Sequence, residues 1–109
     1  MPDPPIRLVR AGPMESELTQ GIYHALAREM KESSQDTIIL CSPKTPYLCI
    51  GYHQVLDAVL DRKICDSKKL PILRRRVGGG ATYLDHNQVF YQCIFHHSRF
   101  PARADKVYQ

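Results

Sequence analysis

Three adjacent arginines followed closely by three adjacent glycines constrain this chain more than any other feature of its sequence. Residues 74–83 read Arg-Arg-Arg-Val-Gly-Gly-Gly-Ala-Thr-Tyr. Glycine loses more conformational entropy on folding than any other residue, so a glycine triplet is best tolerated where a side chain would block the approach of another group. Backbone amides gathered in one concave turn can bind phosphate oxygens, and the arginine fork can pair with two such oxygens at once. The run therefore predicts a site for an anion.

The segments on either side of this run indicate what kind of anion site it forms. Residues 70–73 read as the start of a strand, and the aromatic and β-branched residues at 81–83 and 89–95 read as strands again. A Walker loop would end in Gly-Lys-Ser/Thr at a helix, and a dinucleotide-binding fingerprint would have spaced glycines that open a helix. Since neither pattern is present, the glycines are expected to form a loop between two strands.

Alternation along a strand selects one arginine of the run. Leu73, Arg75 and Val77 share one face, whereas Arg74 and Arg76 share the other. Arg75 therefore has apolar neighbours on its face, and we take it as the ligand contact. The alternative is that the arginines form a solvated edge and the glycines only a flexible hairpin. A nucleic-acid patch is disfavoured, because the other basic residues are scattered among acidic ones and are not interleaved with aromatic residues.

The segment from Tyr47 to Phe95 resembles the catalytic domain of lipoate–protein ligases and the related octanoyltransferases. The ligase signature runs Arg-Arg, any residue, Ser or Thr, three glycines, two or three residues and His-Asp. The residues of this chain at those places are Arg74, Arg75, Gly78, Gly79, Gly80 and Asp85. Upstream, Gly-Tyr-His-Gln at residues 51–54 resembles the Gly-x-x-Gln segment of the family.

The resemblance implies a two-step reaction. In the ligases the lipoate carboxylate attacks the α-phosphate of ATP, which gives lipoyl-AMP and pyrophosphate, and a lysine of a lipoyl carrier domain then accepts the lipoyl group as an amide. By this resemblance Arg75 binds the nucleotide or the adenylate phosphate. The glycines line the lipoyl and phosphate channel, and the next three residues offer backbone contacts to the adenylate: Gly78, Gly79, Gly80, Ala81, Thr82 and Tyr83. The resemblance also implies that magnesium would assist by bridging phosphates, although the sequence shows no dedicated acidic cage for the ion.

Two residues depart from the ligase signature. Val77 stands where the ligases have Ser or Thr, and Leu84 stands where they have His. Each change removes a polar group from the expected pocket. Thr82 and Tyr83, with Gln88 further on, are in turn similar to the octanoyltransferases, which take an octanoyl group from acyl carrier protein through a cysteine thioester. The substrate is therefore lipoate or octanoate, and the subclass stays open.

Length is the largest departure from the family. A chain of 109 residues builds one small core, whereas the catalytic domains of the family are about twice as long. The resemblance places the lysine that stabilises the adenylate beyond residue 109, and Lys106 lacks the Gly-containing surroundings of that lysine. We therefore expect residues 1–109 to form a single, incomplete catalytic domain that is inactive alone. It would be the N-terminal half of a truncated or split enzyme, with a separate C-terminal half or accessory domain as a partner.

The remaining residues predict an α+β domain with a mainly antiparallel sheet packed against helices, as in the biotin/lipoate ligase catalytic domain. Residues 14–31 place apolar side chains at helical spacing, with Ser16 or Pro13 at the start. A second helix is expected to end at Pro71, and a third to begin within residues 101–109. The predicted strands are residues 6–9, 37–41 and 47–52, together with those beside the glycine loop.

The cysteines and histidines give weaker signals. The four cysteines lack the close pairs of a zinc site, so structural use is favoured over Cys93 as an acyl-carrying nucleophile. His96 and His97 are adjacent on a predicted strand and should point to opposite faces, which disfavours a metal pair. His53 and His86 flank the predicted pocket, as loop residues or substrate contacts. No metal site is predicted.

Charge and hydropathy bear on location and partners. There is no apolar stretch long enough for a membrane span and no signal peptide, which predicts a cytoplasmic protein without membrane or nucleic-acid partners. The formal net charge of +4 favours an acidic partner, and the resemblance implies a lipoyl carrier domain. Two function classes remain: a ligase or acyltransferase fragment, and a non-catalytic module that binds the lipoyl group or nucleotide. Biotin ligases rank third, because their Gly-Arg-Gly-Arg signature is not found.

Overall fold

The computed structural model describes residues 5–99 and contains six strands and three α-helices in that range. Along the chain the elements are β1 (Arg7–Met14), α1 (Ser16–Glu29), β2 (Thr37–Pro43), β3 (Tyr47–Ile50), α2 (Leu56–Val59), α3 (Arg62–Ser67), β4 (Ile72–Arg74), β5 (Thr82–Leu84) and β6 (Phe90–Ile94). A single 3-10 turn follows at His97–Arg99. None of the described helices is long and apolar enough to cross a bilayer.

The strands form two three-stranded mixed sheets. The first sheet has the order β1-β2-β6 and the second has the order β4-β3-β5. The α+β class predicted from the sequence is confirmed. Two of the four strand pairs are parallel, β1 with β2 and β3 with β4, because in each case a helical connection carries the chain back to the same end of the sheet. The pairs that involve β5 and β6 are antiparallel.

The core of the first sheet lies on one face only. In β2 every second residue, from Thr37 to Pro43, is buried, and the residues between them are only partly buried. Ile39, Cys41 and Ile94 form the buried cluster, against which α1 places Ile22, Tyr23 and Leu26, and Met30 follows directly after the helix. The apolar residues of α1 recur at three-and-four spacing, so they form one stripe that covers this face of the sheet.

Helix α1 also joins the first sheet to the second. Tyr47, at the start of β3, is fully buried, and its hydroxyl lies 2.6 Å from the Thr19 hydroxyl and accepts from Gln20 Nε2 at 2.9 Å. Thr19 is itself fully buried and donates to the Ser16 carbonyl. A buried hydroxyl pair with satisfied partners fixes a relative orientation more sharply than apolar packing does. The space between α1 and the two sheets is thereby defined.

Some element boundaries differ from the sequence-based expectation. The predicted second helix is two short helices, because the Asp61 side chain accepts from the amides of Lys63 and Ile64 and so begins a new helix, α3, inside the segment. Strand β4 ends at Arg74, one residue before the arginine chosen as the ligand contact. Helix α1 begins at Ser16, one of its two predicted starts, and the Ser16 hydroxyl donates to the Thr45 carbonyl. The helix predicted to begin within residues 101–109 lies outside the described residues.

Candidate functional site

Residues 75–81 form a loop that connects β4 to β5, the two strands that flank β3. As predicted, this loop joins two strands. It closes around the side chain of Arg75, whose Nε and Nη2 donate to the Gly78 carbonyl at 3.2 and 2.9 Å. Nη2 also donates to the Gly80 carbonyl at 2.8 Å. One edge of the guanidinium group therefore fixes the shape of the glycine loop.

The other edge of the same guanidinium group faces the second sheet. Arg75 Nη1 lies 3.7 Å from the sulfur of Cys49, a residue of β3 that is almost completely buried. Guanidinium carries five N–H donors in a fixed fork, so the contacts to the loop and to the thiol do not use all of them. Arg75 can hold the loop and still donate to a ligand from Nη1.

Of the three glycines in the loop, Gly79 is the one whose position requires glycine. Gly79 has φ 107°, a conformation that residues with a β-carbon rarely adopt. A β-carbon there would also lie 2.7 Å from Arg75 Nη2. Within residues 5–99 the amides of Gly78, Gly79 and Gly80 donate no hydrogen bond to the protein. The loop thus uses two of its carbonyls to hold Arg75 and leaves its amides available.

An open pocket of about 590 Å³ lies between α1, the second sheet and β6. This volume is within the range of small-molecule sites, roughly 300–1,000 Å³. Most of the lining is apolar. Helix α1 and the residue after it supply Gln20, Tyr23, Ala27 and Met30; the second sheet and the loop supply Cys49, Arg75, Val77, Thr82 and Leu84; residues 90–95 supply the rest.

Arg75 brings an unbalanced positive charge to this apolar pocket. Arg74, Arg75 and Arg76 form no ion pair with a carboxylate in the described part of the chain. The Gly78 and Gly80 carbonyls accept hydrogen bonds from Arg75 and so lower the cost of placing its charge beside apolar surface, but they do not neutralise that charge. An apolar cavity with one arginine fits a ligand that joins an apolar body to an anionic group.

Burial shifts the ionisation of two groups beside the pocket. Burial raises the pKa of the Tyr23 phenol, so this pocket residue is a neutral hydroxyl that donates to Gln20 Oε1 at 2.7 Å. Burial, assisted by Arg76 and Arg28, lowers the pKa of His24. Its Nε2 accepts from the Arg76 amide at 3.3 Å, a contact that requires the neutral imidazole. Helix α1 is thus tied to the arginine run.

The residues proposed from the sequence occupy two different places. Arg75 and Thr82 line the pocket together with Val77 and Leu84, the two residues that depart from the ligase signature. The glycines frame Arg75 from the loop and are exposed. Ala81, just before β5, and Tyr83, within β5, are also exposed and do not line the pocket. At Val77 and Leu84 the pocket therefore gains apolar surface where the ligases would have polar side chains.

Sequence reasoning missed the contribution of α1 and β6 to the pocket. Gln20 and Tyr23 lie at the border of the apolar stripe of α1, and a stripe by itself predicts only core packing. On β6, Gln92 lines the pocket and donates from Nε2 to the Thr19 carbonyl at 2.7 Å, while its buried Oε1 has no partner in the described part of the chain. In the sequence, the position of Gln92 among apolar strand residues was the signal that could have placed β6 at the pocket.

The remaining candidates lie outside the pocket, except for Cys49, described above, and Cys93. His53, His86, His96 and His97 do not line it, and Cys41 and Cys65 are buried free thiols elsewhere. Cys93 is exposed and lines the pocket, although no histidine, lysine or carboxylate is among the described residues around that pocket. No group of three or more His, Cys, Asp or Glu side chains within residues 5–99 could hold a metal ion.

The fold is that of an α+β protein, and the pocket has a lining that could accept an amphipathic acid. The sequence profile of the lipoyl protein ligase A/B catalytic domain matches residues 18–109, so the chain belongs to this family. A search of curated protein sequences found no match.

Solved structures of lipoate–protein ligases share the fold. A lipoate-protein ligase A bound with ATP is 22% identical with a TM-score of 0.71, and the match covers 78% of this chain and 34% of that one. A bi-partite ligase from Thermoplasma acidophilum, described with its E2 lipoyl domain, is 20% identical with a TM-score of 0.74, covering 82% and 35%. P. falciparum LipL1 in complex with lipoate is 15% identical with a TM-score of 0.71, covering 80% and 29%. The chain thus spans about a third of the length of the structures it matches.

Proposed function

We propose that this chain supplies the N-terminal part of a lipoate–protein ligase site, in which the pocket holds the lipoyl chain and Arg75 holds the adenylate phosphate. The observation that carries the proposal is the unpaired Arg75 in an otherwise apolar cavity of about 590 Å³. The proposed substrates are lipoate and ATP, joined as lipoyl-AMP. The acceptor is a lysine of a lipoyl carrier domain.

The arrangement of the loop supports a phosphate at this position. The amides of Gly78, Gly79 and Gly80 have no acceptor within the described residues, and Arg75 Nη1 has donor capacity left. Backbone amides and a guanidinium group are the donors that stabilise a charged phosphate. As these donors are already held in place by the loop, they would need little reorganisation when the adenylate forms. Ala81, Thr82 and Tyr83 follow the loop at the start of β5, where we propose backbone contacts to the adenylate.

No residue of the described chain is assigned to Mg²⁺. Its ligands are carboxylates, carbonyls and water, and residues 5–99 hold no carboxylate cluster that could receive it. These residues therefore do not fit a metal site of their own, and no step is assigned to the ion. The lysine that completes the activation step is proposed to lie outside this chain. Residues 1–109 are accordingly proposed as one incomplete domain, inactive alone, that functions with a further polypeptide segment.

An octanoyltransferase is the second candidate, and one observation favours it: Cys93 is an exposed thiol in the wall of the pocket. A thiol that carries an acyl group needs a base or a cation to form its thiolate. The described residues around the pocket include no base, and the cation of the pocket, Arg75, contacts the sulfur of Cys49 and not that of Cys93. The ligase is therefore preferred.

The four free cysteines agree with a reducing, cytoplasmic location, which is also part of the proposal.

Calorimetry with lipoyl-AMP, octanoyl-AMP and AMP tests this function. Arg75→Met should weaken lipoyl-AMP binding by roughly ten- to a hundredfold, because it removes a charge-assisted hydrogen bond. Arg76→Met removes the same charge from the neighbouring, exposed position and serves as the matched control. Ala27→Phe fills the pocket from α1 and should weaken the lipoyl and octanoyl compounds while leaving AMP unaffected. Equal affinity of the wild-type chain for lipoyl-AMP and AMP would contradict the proposal.

A further inference from the structure

Arg74 stands beside the pocket arginine but does not line the pocket. Its Nη1 donates instead to three backbone carbonyls of one turn. The distances are 3.1 Å to Gly51, 3.0 Å to Tyr52 and 2.6 Å to Gln54. Strand β4 is parallel to β3, with Arg74 opposite Ile50, so the two strands finish at the same end of the sheet. The side chain of Arg74 thus reaches from the end of β4 to the turn that follows β3.

The turn at residues 51–54 depends on this cation. The Gln54 amide donates to the Gly51 carbonyl at 3.1 Å, and Gln54 Oε1 accepts from the Gly51 amide at 2.8 Å. These two bonds close the turn, but they also bring three carbonyl dipoles towards one point. Like-oriented dipoles repel one another unless a positive group lies between them. Arg74 supplies that group.

The turn at residues 51–54 also contacts the glycine loop. The Tyr52 amide donates to the Val77 carbonyl at 2.9 Å. Gly51 packs against the backbone of Gly79 so closely that a β-carbon on Gly51 would overlap the Gly79 carbonyl oxygen. The carbonyls on either side of Gly79 are the two that hold Arg75. A continuous set of contacts therefore runs from Arg74 through the turn to the pocket.

We infer that Arg74 is a positioning residue: it holds the 51–54 turn against the glycine loop and thereby fixes the direction in which Arg75 meets the ligand. Its role for the ligand rests on the proposed function. Arg74 and Arg75 divide two tasks, since Arg74 orders the backbone and Arg75 contacts the anion. Lysine cannot replace Arg74 fully, because a compact ammonium lacks the planar fork and reach of the guanidinium group.

Hydrogen exchange of the free protein, followed by NMR, tests this role without any ligand. In Arg74→Met the Tyr52 and Gly51 amides should exchange at least about tenfold faster, while the amide of Ile39, in the buried central strand of the first sheet, exchanges as in the wild type. Arg76→Met is the matched control, which removes one charge of the same run and should leave the Tyr52 amide unchanged. If Arg74→Met does not fold, Arg74→Lys is measured against the same two amides, and a several-fold faster exchange at Tyr52 is expected.

Three outcomes would overturn the inference. Unchanged exchange at Tyr52 would show that Arg74 does not order the turn, and an equal acceleration at Ile39 would show only a general structural role.

Calorimetry with lipoyl-AMP then asks whether the ordered turn matters for the ligand: an affinity loss of about tenfold in Arg74→Met, against at most about twofold in Arg76→Met, is expected. Unchanged affinity despite a loosened turn would also overturn it. If the wild type itself does not bind lipoyl-AMP, the proposed function fails, whereas the exchange result still decides whether Arg74 orders the turn.

Discussion

Gly51 and Gly79 lie in backbone contact, although they are far apart in the sequence. A β-carbon built on Gly51 would overlap the carbonyl oxygen of Gly79 and would lie 3.0 Å from its carbonyl carbon and 3.2 Å from its nitrogen. The contact brings the turn after β3 against the loop after β4. The two segments are therefore one structural unit, and neither can take its shape without the other.

Gly51→Ala should destabilise the protein by about 1–3 kcal/mol, the usual cost of adding a methyl group where no space exists. Gly21→Ala is the matched control. Gly21 lies in α1 with an ordinary backbone conformation, and nothing lies within 4 Å of a β-carbon there. The control should stabilise the protein by up to about 1 kcal/mol, since alanine is the better helix former. Urea denaturation measures both changes, and a Gly51→Ala protein as stable as the wild type would show that the two segments can separate freely.

Sequence reasoning located the site through the chemistry of the loop but not through its geometry. The glycine triplet, the loop between strands and the choice of Arg75 all followed from residue types and alternation. The partners of Arg75 did not, because a glycine triplet shows that the backbone comes close to another group without showing which group. In the structure that group includes the arginine of the same loop, held by the carbonyls of Gly78 and Gly80.

The fold was predictable where local patterns repeat and less so where tertiary contacts decide. The stripe of α1 and the alternation of β2 were readable from the sequence. The break between α2 and α3 depends on Asp61, whose capping role competes with a continuous helix. The pairing of strands was beyond local reasoning, because parallel pairing follows from the path of the connecting helices rather than from the strands themselves.

The native protein should contain one fast-reacting thiol. Cys93 is exposed on β6, whereas Cys41, Cys49 and Cys65 are buried. Burial also raises the pKa of the Cys41 thiol, which lowers its thiolate fraction further. Reaction with an aromatic disulfide reagent should release about one equivalent quickly and the remainder only on unfolding. Cys93→Ser should abolish the fast phase, and lipoyl-AMP should slow it in the wild type because Cys93 lines the pocket. Two or more fast thiols in the folded protein would contradict this assignment.

Gln92→Leu should change stability by less than about 1 kcal/mol in either direction. The replacement loses the hydrogen bond from Nε2 to the Thr19 carbonyl, but it also removes a buried Oε1 that has no partner among the described residues. Removing an unsatisfied buried atom offsets the loss of a neutral hydrogen bond. Gln92→Glu is the contrasting variant, since it places a charge where the amide donor was and should destabilise by more than the leucine. Thermal unfolding compares them, and a large loss in Gln92→Leu would show that Oε1 has a partner, such as an ordered water.

Stability should fall in acid because of Asp36. The carboxylate accepts from Arg99 at 2.9 and 2.7 Å and from the His96 amide at 3.1 Å. The hydrogen bonds from Arg99, assisted by that from His96, hold the pKa of Asp36 below its ordinary value of 3.8, against the opposing effect of burial. The unfolded chain therefore binds this proton more readily than the folded one. The stabilisation is complete above the unfolded pKa and is lost as the pH falls through the lower folded pKa.

Asp36→Asn should accordingly destabilise the protein near neutral pH and progressively less below pH 3.8, so that the two stability curves converge in acid. Asp57→Asn is the control. Asp57 pairs with Arg62 at 2.8 Å, but both side chains are well exposed, at 73% and 60%, and exposed pairs contribute little. Urea denaturation at a series of pH values between 2 and 7 gives both curves, a range chosen to bracket roughly the carboxylate titration. A constant difference between the wild type and Asp36→Asn across that range would mean that Arg99 and His96 stabilise the protonated carboxyl as well as the carboxylate.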